Sequence, residues 1–187
     1  ETMPTTPRIS VIIAVYNGAV HLVEQMDALL AQNCDFPWEA IYVDNGSRDQ
    51  SREIIRSRIT KDNLAHVRLV DGSQKAGQVY ARNIGAAAAQ ADLLAFTDQD
   101  DLPAPGWLAA MFTALVGSAD AAGGFVVRTP DGYPPAADRN ELPAHDRLLL
   151  RWHGIDCAIG TNFAVHRNVF AAIGGWQDVN EIHAGED

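Results

Sequence analysis

ISVIIAV, residues 9–15, is a β-branched apolar run of strand length, closed off by Pro7 on one side and Asn17-Gly18 on the other. Its hydrophobicity is continuous rather than alternating, which predicts a strand buried on both faces, as in a parallel sheet. The chain then repeats the theme. Leu22, Val23, Met26, Leu29 and Leu30 recur at helical spacing over 19–32, and a second apolar run at 40–43 ends in Asp44-Asn45-Gly46. Ser47 precedes Gln50 at capping-box spacing, which predicts a helix toward Ile54, Ile55 and Ile59. Further strands are expected at 67–70, 93–97 and 125–128, with an Ala-rich helix over 79–90 and another helix from Pro105 to about Val116. Such alternation implies βαβ units with right-handed crossovers: an α/β fold with a mostly parallel central sheet flanked by helices.

Beyond these elements the signals thin. Residues 129–143 are proline-rich and charged, able to bury little apolar area, and are expected to form a surface loop that is mobile without ligands. Arg147 to Trp152 reads as helical and Asn162 to Val165 as a short strand, and Gly174-Gly175 would end a helix at Ile173. A chain of 187 residues suits one domain with one core. It stops at Gly185-Glu186-Asp187 without a closing element, so residues 1–187 are expected to be a single domain lacking its natural C-terminal continuation.

The charge balance excludes some partners. Acids outnumber bases by 24 to 14, a net charge of −10, whereas a nucleic-acid backbone is bound mainly through Lys and Arg. An acidic protein that binds a phosphorylated ligand needs a bridging cation or a few well-placed arginines. No apolar stretch approaches the roughly 20 residues of a membrane span, and the N-terminus has no secretory-signal pattern. The expected location is cytoplasmic, with peripheral association at the inner face of the membrane left open. Cys34 and Cys157 form no CxxC or Cys/His pattern and read as two thiols in a reducing compartment. His153, Asp156 and Cys157 have the residue types of a zinc site, but ordinary surface or core roles fit them better. GxxxxGK[ST], GxGxxG, HExxH and GxSxG patterns are all absent.

In open α/β sheets ligands bind at the carboxyl ends of the strands, so the polar residues there are the ones that matter. Tyr16-Asn17-Gly18, Asp44-Asn45-Gly46 and Asp98-Gln99-Asp100-Asp101 should converge on one sheet edge. Asp44 is placed to accept hydrogen bonds from a ribose or base, although Asp-Asn-Gly is also ordinary turn chemistry. The three carboxylates within 98–101 repel one another, and a hard divalent cation sharing oxygens with substrate phosphates would relieve that repulsion. A solvated acidic turn ahead of the Pro105 helix is the alternative.

Taken in order, ISVIIAVYNG, VDNGSRDQS, ARNIG, FTDQDD, GTNFAVHRNVFAAIGGW and GED resemble the blocks of family 2 glycosyltransferases and cover nearly the whole chain. The resemblance implies a GT-A fold and an inverting sugar transfer from a nucleoside-diphospho-sugar. It also assigns residues. Tyr16 and Asn17 match the first-strand motif, whose backbone and aromatic ring hold the base; Ala14 is taken with them as a nucleotide-sugar contact, although the family often has Pro, Thr or Ser where this chain has Ala14 and Val15. Asp44 matches the acid that binds uracil or ribose, and Arg82 the arginine near the donor diphosphate. Asp98 and Asp100 match the DxD motif that places Mn²⁺ or Mg²⁺ on that diphosphate. Asp187 matches the general base, with Glu186 as its support, and Trp176 of the GGW block stands near the acceptor site, where it could stack on a sugar or simply be core.

The chemistry agrees with the assignment. A metal stabilises charge growing on a departing nucleoside diphosphate, and a carboxylate is needed to take the proton of a high-pKa hydroxyl. The expected function is transfer, most naturally from a UDP-sugar, to a glycan, lipid or other hydroxyl acceptor, as in cell-wall or polysaccharide synthesis. One rival, a sugar-1-phosphate nucleotidyltransferase, should carry a Gly-rich, cationic loop after its first strand, where this chain has Tyr-Asn-Gly-Ala-Val-His. A non-catalytic sugar-nucleotide or glycan-binding module is the other.

Overall fold

A computed structural model describes residues 6–124, 150–152, 155–157 and 162–177. The elements run β1 (Ile9–Val15), α1 (Leu22–Leu30), β2 (Trp38–Asp44), α2 (Ser51–Lys61), β3 (Val67–Asp71), α3 (Gln78–Ala88), β4 (Leu93–Asp98), α4 (Trp107–Gly117), β5 (Ala121–Gly123), β6 (Leu150–Trp152), β7 (Ile155–Cys157), β8 (Asn162–His166) and α5 (Arg167–Ala172). The main sheet is ordered β3-β2-β1-β4-β8-β5. Strands β1 to β4 are parallel to one another, whereas β8 runs antiparallel between β4 and β5, so the sheet is mixed.

Every residue of β1 is buried, as its unbroken run requires. Its two sides feed two cores. Ile9, Val11, Ile13 and Val15 pack with α1, α2 and α4 residues such as Leu22, Met26, Ile55, Leu108 and Met111. Ile12 and Ala14 pack on the other face with Ala81 and Ala86 of α3 and Phe170 of α5. The helix faces follow from the strand order. The path β1-α1-β2-α2-β3 moves outward in one direction, and β3-α3-β4 returns across β1 the other way, so right-handed crossovers place α3 on the opposite face. That reversal makes the gap between the carboxyl ends of β1 and β4 the topological switch point.

Glycine sets how closely α3 lies on the sheet. A β-carbon on Gly85 would collide with Ile12 and Val43, so the Ala-rich helix with a glycine at this turn seats directly on β1 and β2.

Three local expectations are corrected. The α2 helix does not open on a Ser47 capping box, because Ser47 Oγ accepts from the Asn17 N–H and the helix starts at Ser51 with no side-chain cap on Gln50. Pro105 lies in the turn before α4, which begins at Trp107 after a left-handed Gly106 with φ +80°. Residues 150–152 form a strand rather than a helix end: β6 and β7 pair antiparallel, and the register Trp152↔Ile155 leaves only His153-Gly154 between them, a hairpin length. The strand expected at 125–128 and the mobile loop expected at 129–143 lie outside the described residues.

Candidate functional site

At the carboxyl edge of the sheet the three polar groups do converge. The parallel register runs Ala14↔Asp98, Val15↔Asp44 and Asp44↔Asp71, which places three strand-terminal acids along one edge. Asp44 and Asp71 are neighbours across the ladder, and two bare carboxylates there would repel. Arg52, in the first turn of α2, resolves this. Its Nε and Nη2 donate to Asp44 Oδ2 at 2.9 and 2.6 Å, and Nη2 also reaches Asp71 Oδ1 at 3.0 Å. Hydrogen bonding to Asp44 holds the Arg52 guanidinium above its ordinary pKa, and hydrogen bonds from Ser73 and then Arg52 hold Asp71 below the usual carboxylate range.

The loops are laced to each other. Asn17 sits at φ +50°, donates its N–H to Ser47 Oγ and accepts from the Arg48 N–H on Oδ1. Gly18 N–H donates to Ser51 Oγ at 2.8 Å and Ala19 N–H to Asp49 Oδ2 at 3.0 Å. Gln99 clamps both backbone groups of Tyr16, accepting from its N–H at 2.9 Å and donating to its carbonyl at 3.1 Å. Residue 18 must be glycine for this, since a β-carbon would overlap the Gln99 carboxamide. Asn45 ties in the third loop by donating to the carbonyls of Gly72 and Lys75 at 2.5 and 2.7 Å and accepting from Gly77 N–H at 2.8 Å.

These braced loops surround a cleft of about 570 Å³ at the switch point, a size suited to a nucleotide-sized ligand. Ala14 and Tyr16 line it from the end of β1 and the loop after it, Asp98, Gln99 and Asp100 from the end of β4 and its loop, Asn45 from just after β2, and Gly77, Gln78 and Ala81 from the start of α3. The Tyr16 side is open, the residue being 54% exposed. The α3 N-terminus has no side-chain cap and no acid in its first turn, leaving a positive helix end against the cleft. Asp98 is held from one side only. Its Oδ1 accepts from Arg82 Nη2 at 2.6 Å and Gln78 Nε2 at 3.1 Å, while Oδ2 has no hydrogen-bond partner among the described residues.

Among the described residues no cluster of three or more His, Cys, Asp or Glu could hold a metal alone. Asp98 and Asp100 nevertheless line the same cleft, one with an open oxygen. Two carboxylates fit Mg²⁺ or Mn²⁺ of the kind that completes its shell with phosphate oxygens and water.

Of the residues singled out in the sequence, the structure brings Ala14, Tyr16, Asp98 and Asp100 into the cleft wall. Asn17, Asp44 and Arg82 stand behind it, engaged with Ser47 and Arg48, with Arg52 and the Ser47 N–H, and with Asp98 respectively. Glu186 and Asp187 lie outside the described residues. Trp176 belongs to the second core cluster, partly buried, and also covers Arg82. Sequence reasoning did not single out Gln78 or Asn83; their partners lie 20 and 93 positions away, so no local spacing marks them.

Because Asp44 is only 1% exposed and carries both Arg52 and Ser47, its replacement touches fold as well as ligand. Asp44→Ala is expected to weaken nucleotide binding by about 1.5–3 kcal/mol, the worth of the charged hydrogen bond from Arg52 that holds this edge of the cleft. It should also lower the melting temperature, because Arg52 and the Ser47 N–H lose their acceptor. Calorimetry with UDP reads the first effect, and unchanged affinity would sink the role of Asp44.

The sequence model described as Glycosyl transferase family 2 matches residues 10–174. Glycosyltransferase AglE of Haloferax volcanii is 34% identical over 187 residues, covering 98% of this chain and 60% of AglE. Among solved structures, mannosyltransferase PcManGT from Pyrobaculum calidifontis, in complex with GDP-Man and Mn²⁺, aligns with a TM-score of 0.66 at 23% identity, over 91% of this chain and 47% of that one. S. aureus TarS 1–349 in complex with UDP aligns with a TM-score of 0.65 at 17% identity, over 89% of this chain and 49% of that one. The chain thus spans 60% of the length of its Haloferax relative and about half of each solved one, and at these identities the structural likeness speaks to the fold.

Proposed function

The chain belongs to glycosyl transferase family 2 and carries a GT-A fold, and on that premise we propose that it is the catalytic domain of an inverting transferase that uses a nucleoside-diphospho-sugar. The observation that carries this reading is the cleft at the switch point. There an aromatic side chain, an uncapped helix N-terminus and two carboxylates meet within a nucleotide-sized space.

Each part has a task. Tyr16 offers its exposed ring to the base, and Asp44, buried behind the cleft wall, fixes that edge through Arg52 and the Ser47 N–H. The N–H groups opening α3, with Arg82 behind Asp98, favour the negative diphosphate. Asp98 and Asp100 would hold Mn²⁺ or Mg²⁺, and such an ion, when bound, neutralises charge on the leaving diphosphate. A carboxylate must take the acceptor proton as the hydroxyl attacks, and we assign that role to Asp187 with Glu186 beside it, on the family resemblance of the GED block. The PcManGT complex holds GDP-Man with Mn²⁺, and the TarS complex holds UDP. The first supports a metal-assisted nucleotide donor here and the second a uridine nucleotide, with UDP as our choice and a glycan, lipid or other hydroxyl as acceptor. Among the described residues no helix is long and apolar enough to cross a membrane; we place the reaction in the cytoplasm, with association at the membrane surface through the acceptor.

The test is a thermal-shift panel of UDP, GDP and their sugar derivatives, with Mn²⁺ or EDTA. A ligand that binds the folded state raises its melting temperature by mass action. UDP with Mn²⁺ is expected to stabilise more than either alone. Equal stabilisation by UDP in EDTA would remove the metal from Asp98 and Asp100, and no response to any nucleotide would remove the donor reading.

A further inference from the structure

Arg82 and Asn83 are consecutive on α3, and both reach the turn after α5. The Asn83 carboxamide pairs with both backbone groups of Trp176, accepting from its N–H at 2.9 Å and donating to its carbonyl at 2.8 Å, much as a neighbouring strand would. Glycine permits the approach. Gly175 has a left-handed φ of +74°, and a β-carbon there would press on Asn83 Oδ1.

With its backbone fixed, the Trp176 indole stands edge-on to Phe96, Phe163 and Phe170, at centroid distances of 5.4, 5.8 and 6.4 Å. Its face covers the Arg82 guanidinium at 5.0 Å. The indole is not steered by its own polar handle, since Nε1 is buried and has no hydrogen-bond partner among the described residues. The grip on its backbone and the packing of its rings therefore set where it lies. Arg82 carries that placement onward: its side chain is 8% exposed, and Nη2 bonds Asp98 Oδ1, on a side chain 16% exposed. A free arginine samples many rotamers and a solvated ion pair is weak, whereas a covered one is held in place and strengthened by the low local dielectric.

We propose that Asn83 is a positioning residue for the donor site. By holding Trp176 over Arg82, it fixes the rotamer and charge balance of Asp98, so that Oδ2 is presented to the metal and diphosphate. The inference rests on the donor reading of the cleft, and it joins the ARN, DQD and GGW blocks into one mechanical unit.

Calorimetry of UDP binding, with Mn²⁺ and with EDTA, tests it in the wild type and in Asn83→Ala, alongside tryptophan emission. The variant should bind UDP with Mn²⁺ about tenfold more weakly, in line with loss of a pair of hydrogen bonds, yet bind UDP in EDTA within about twofold of wild type. Its emission should shift to the red, and the shift should vanish when Trp176→Phe is added. Unchanged Mn²⁺-dependent affinity in Asn83→Ala overturns the inference alone, as does equal weakening with and without metal, which is the mark of general loosening. Should Asn83→Ala not fold, Trp176→Phe serves: it keeps the backbone grip and loses the stronger stacking on Arg82, so its Mn²⁺-dependent affinity should fall about threefold, and an unchanged value overturns the inference. If the wild-type chain binds neither UDP nor GDP in a Mn²⁺-dependent way, the donor reading falls and this inference falls with it.

Discussion

Asp98→Asn should abolish the metal dependence of nucleotide binding, leaving UDP affinity the same in Mn²⁺ and in EDTA. The change is isosteric, so Arg82 and Gln78 can still find an acceptor at the amide oxygen. What disappears is the negative oxygen that Oδ2 offers to the cleft. Sugar transfer should fall on the order of a hundred- to a thousand-fold, since metal stabilisation of a leaving group is worth several kcal/mol and each 1.36 kcal/mol is tenfold in rate. A stability cost must be separated from this. The Arg82 side chain is 8% exposed and loses its counter-ion, and an uncompensated buried charge can cost about 3 kcal/mol or more. Asp100→Asn supplies a second test, because Asp100 is exposed in the same cleft and its loss should also lower the metal dependence. If Asp98→Asn kept a wild-type Mn²⁺ response while folded, the metal would have to be placed elsewhere.

Most of this cleft could be read in the sequence because its parts sit at strand ends, and buried strands announce themselves. Ile9–Val15 is apolar throughout because it is covered on both faces, and the runs at 40–43, 67–70 and 93–97 extend in the structure by the ladder rungs that carry Asp44, Asp71 and Asp98. Direction was not legible. Asn162–His166 has a strand pattern whichever way it runs, and only its pairing with Leu93–Thr97 reveals it as antiparallel. Capping chemistry misled for a related reason. Ser47 has the right neighbour for a capping box, but a loop 30 residues earlier claims its hydroxyl.

Side-chain pairings across the fold lay beyond sequence reading altogether. Nothing near Asn83 points to residue 176, and nothing near Gln99 points to Tyr16, although the glycines at 18 and 175 mark where each approach is tight. Asp44 shows the opposite case. Its place at the sheet edge was readable, but its burial was not, because the arginine that neutralises it enters from the next helix.

Asp187→Asn is expected to remove most transfer, by on the order of a hundred-fold or more, while leaving Mn²⁺-dependent donor binding nearly unchanged. The demand behind it is chemical. An acceptor hydroxyl cannot attack until something takes its proton. The role falls to Asp187 on the family resemblance of the GED block, which follows GGW in the family's order. Loss of a base leaves donor contacts alone and so lowers kcat, whereas loss of Asp98 damages binding and turnover together. That split is the signature to look for, measured with the chain extended beyond residue 187 so that a terminal carboxylate cannot stand in for the side chain. Near-wild-type transfer by Asp187→Asn would move the base to another residue, and Glu186→Gln is the next variant to test.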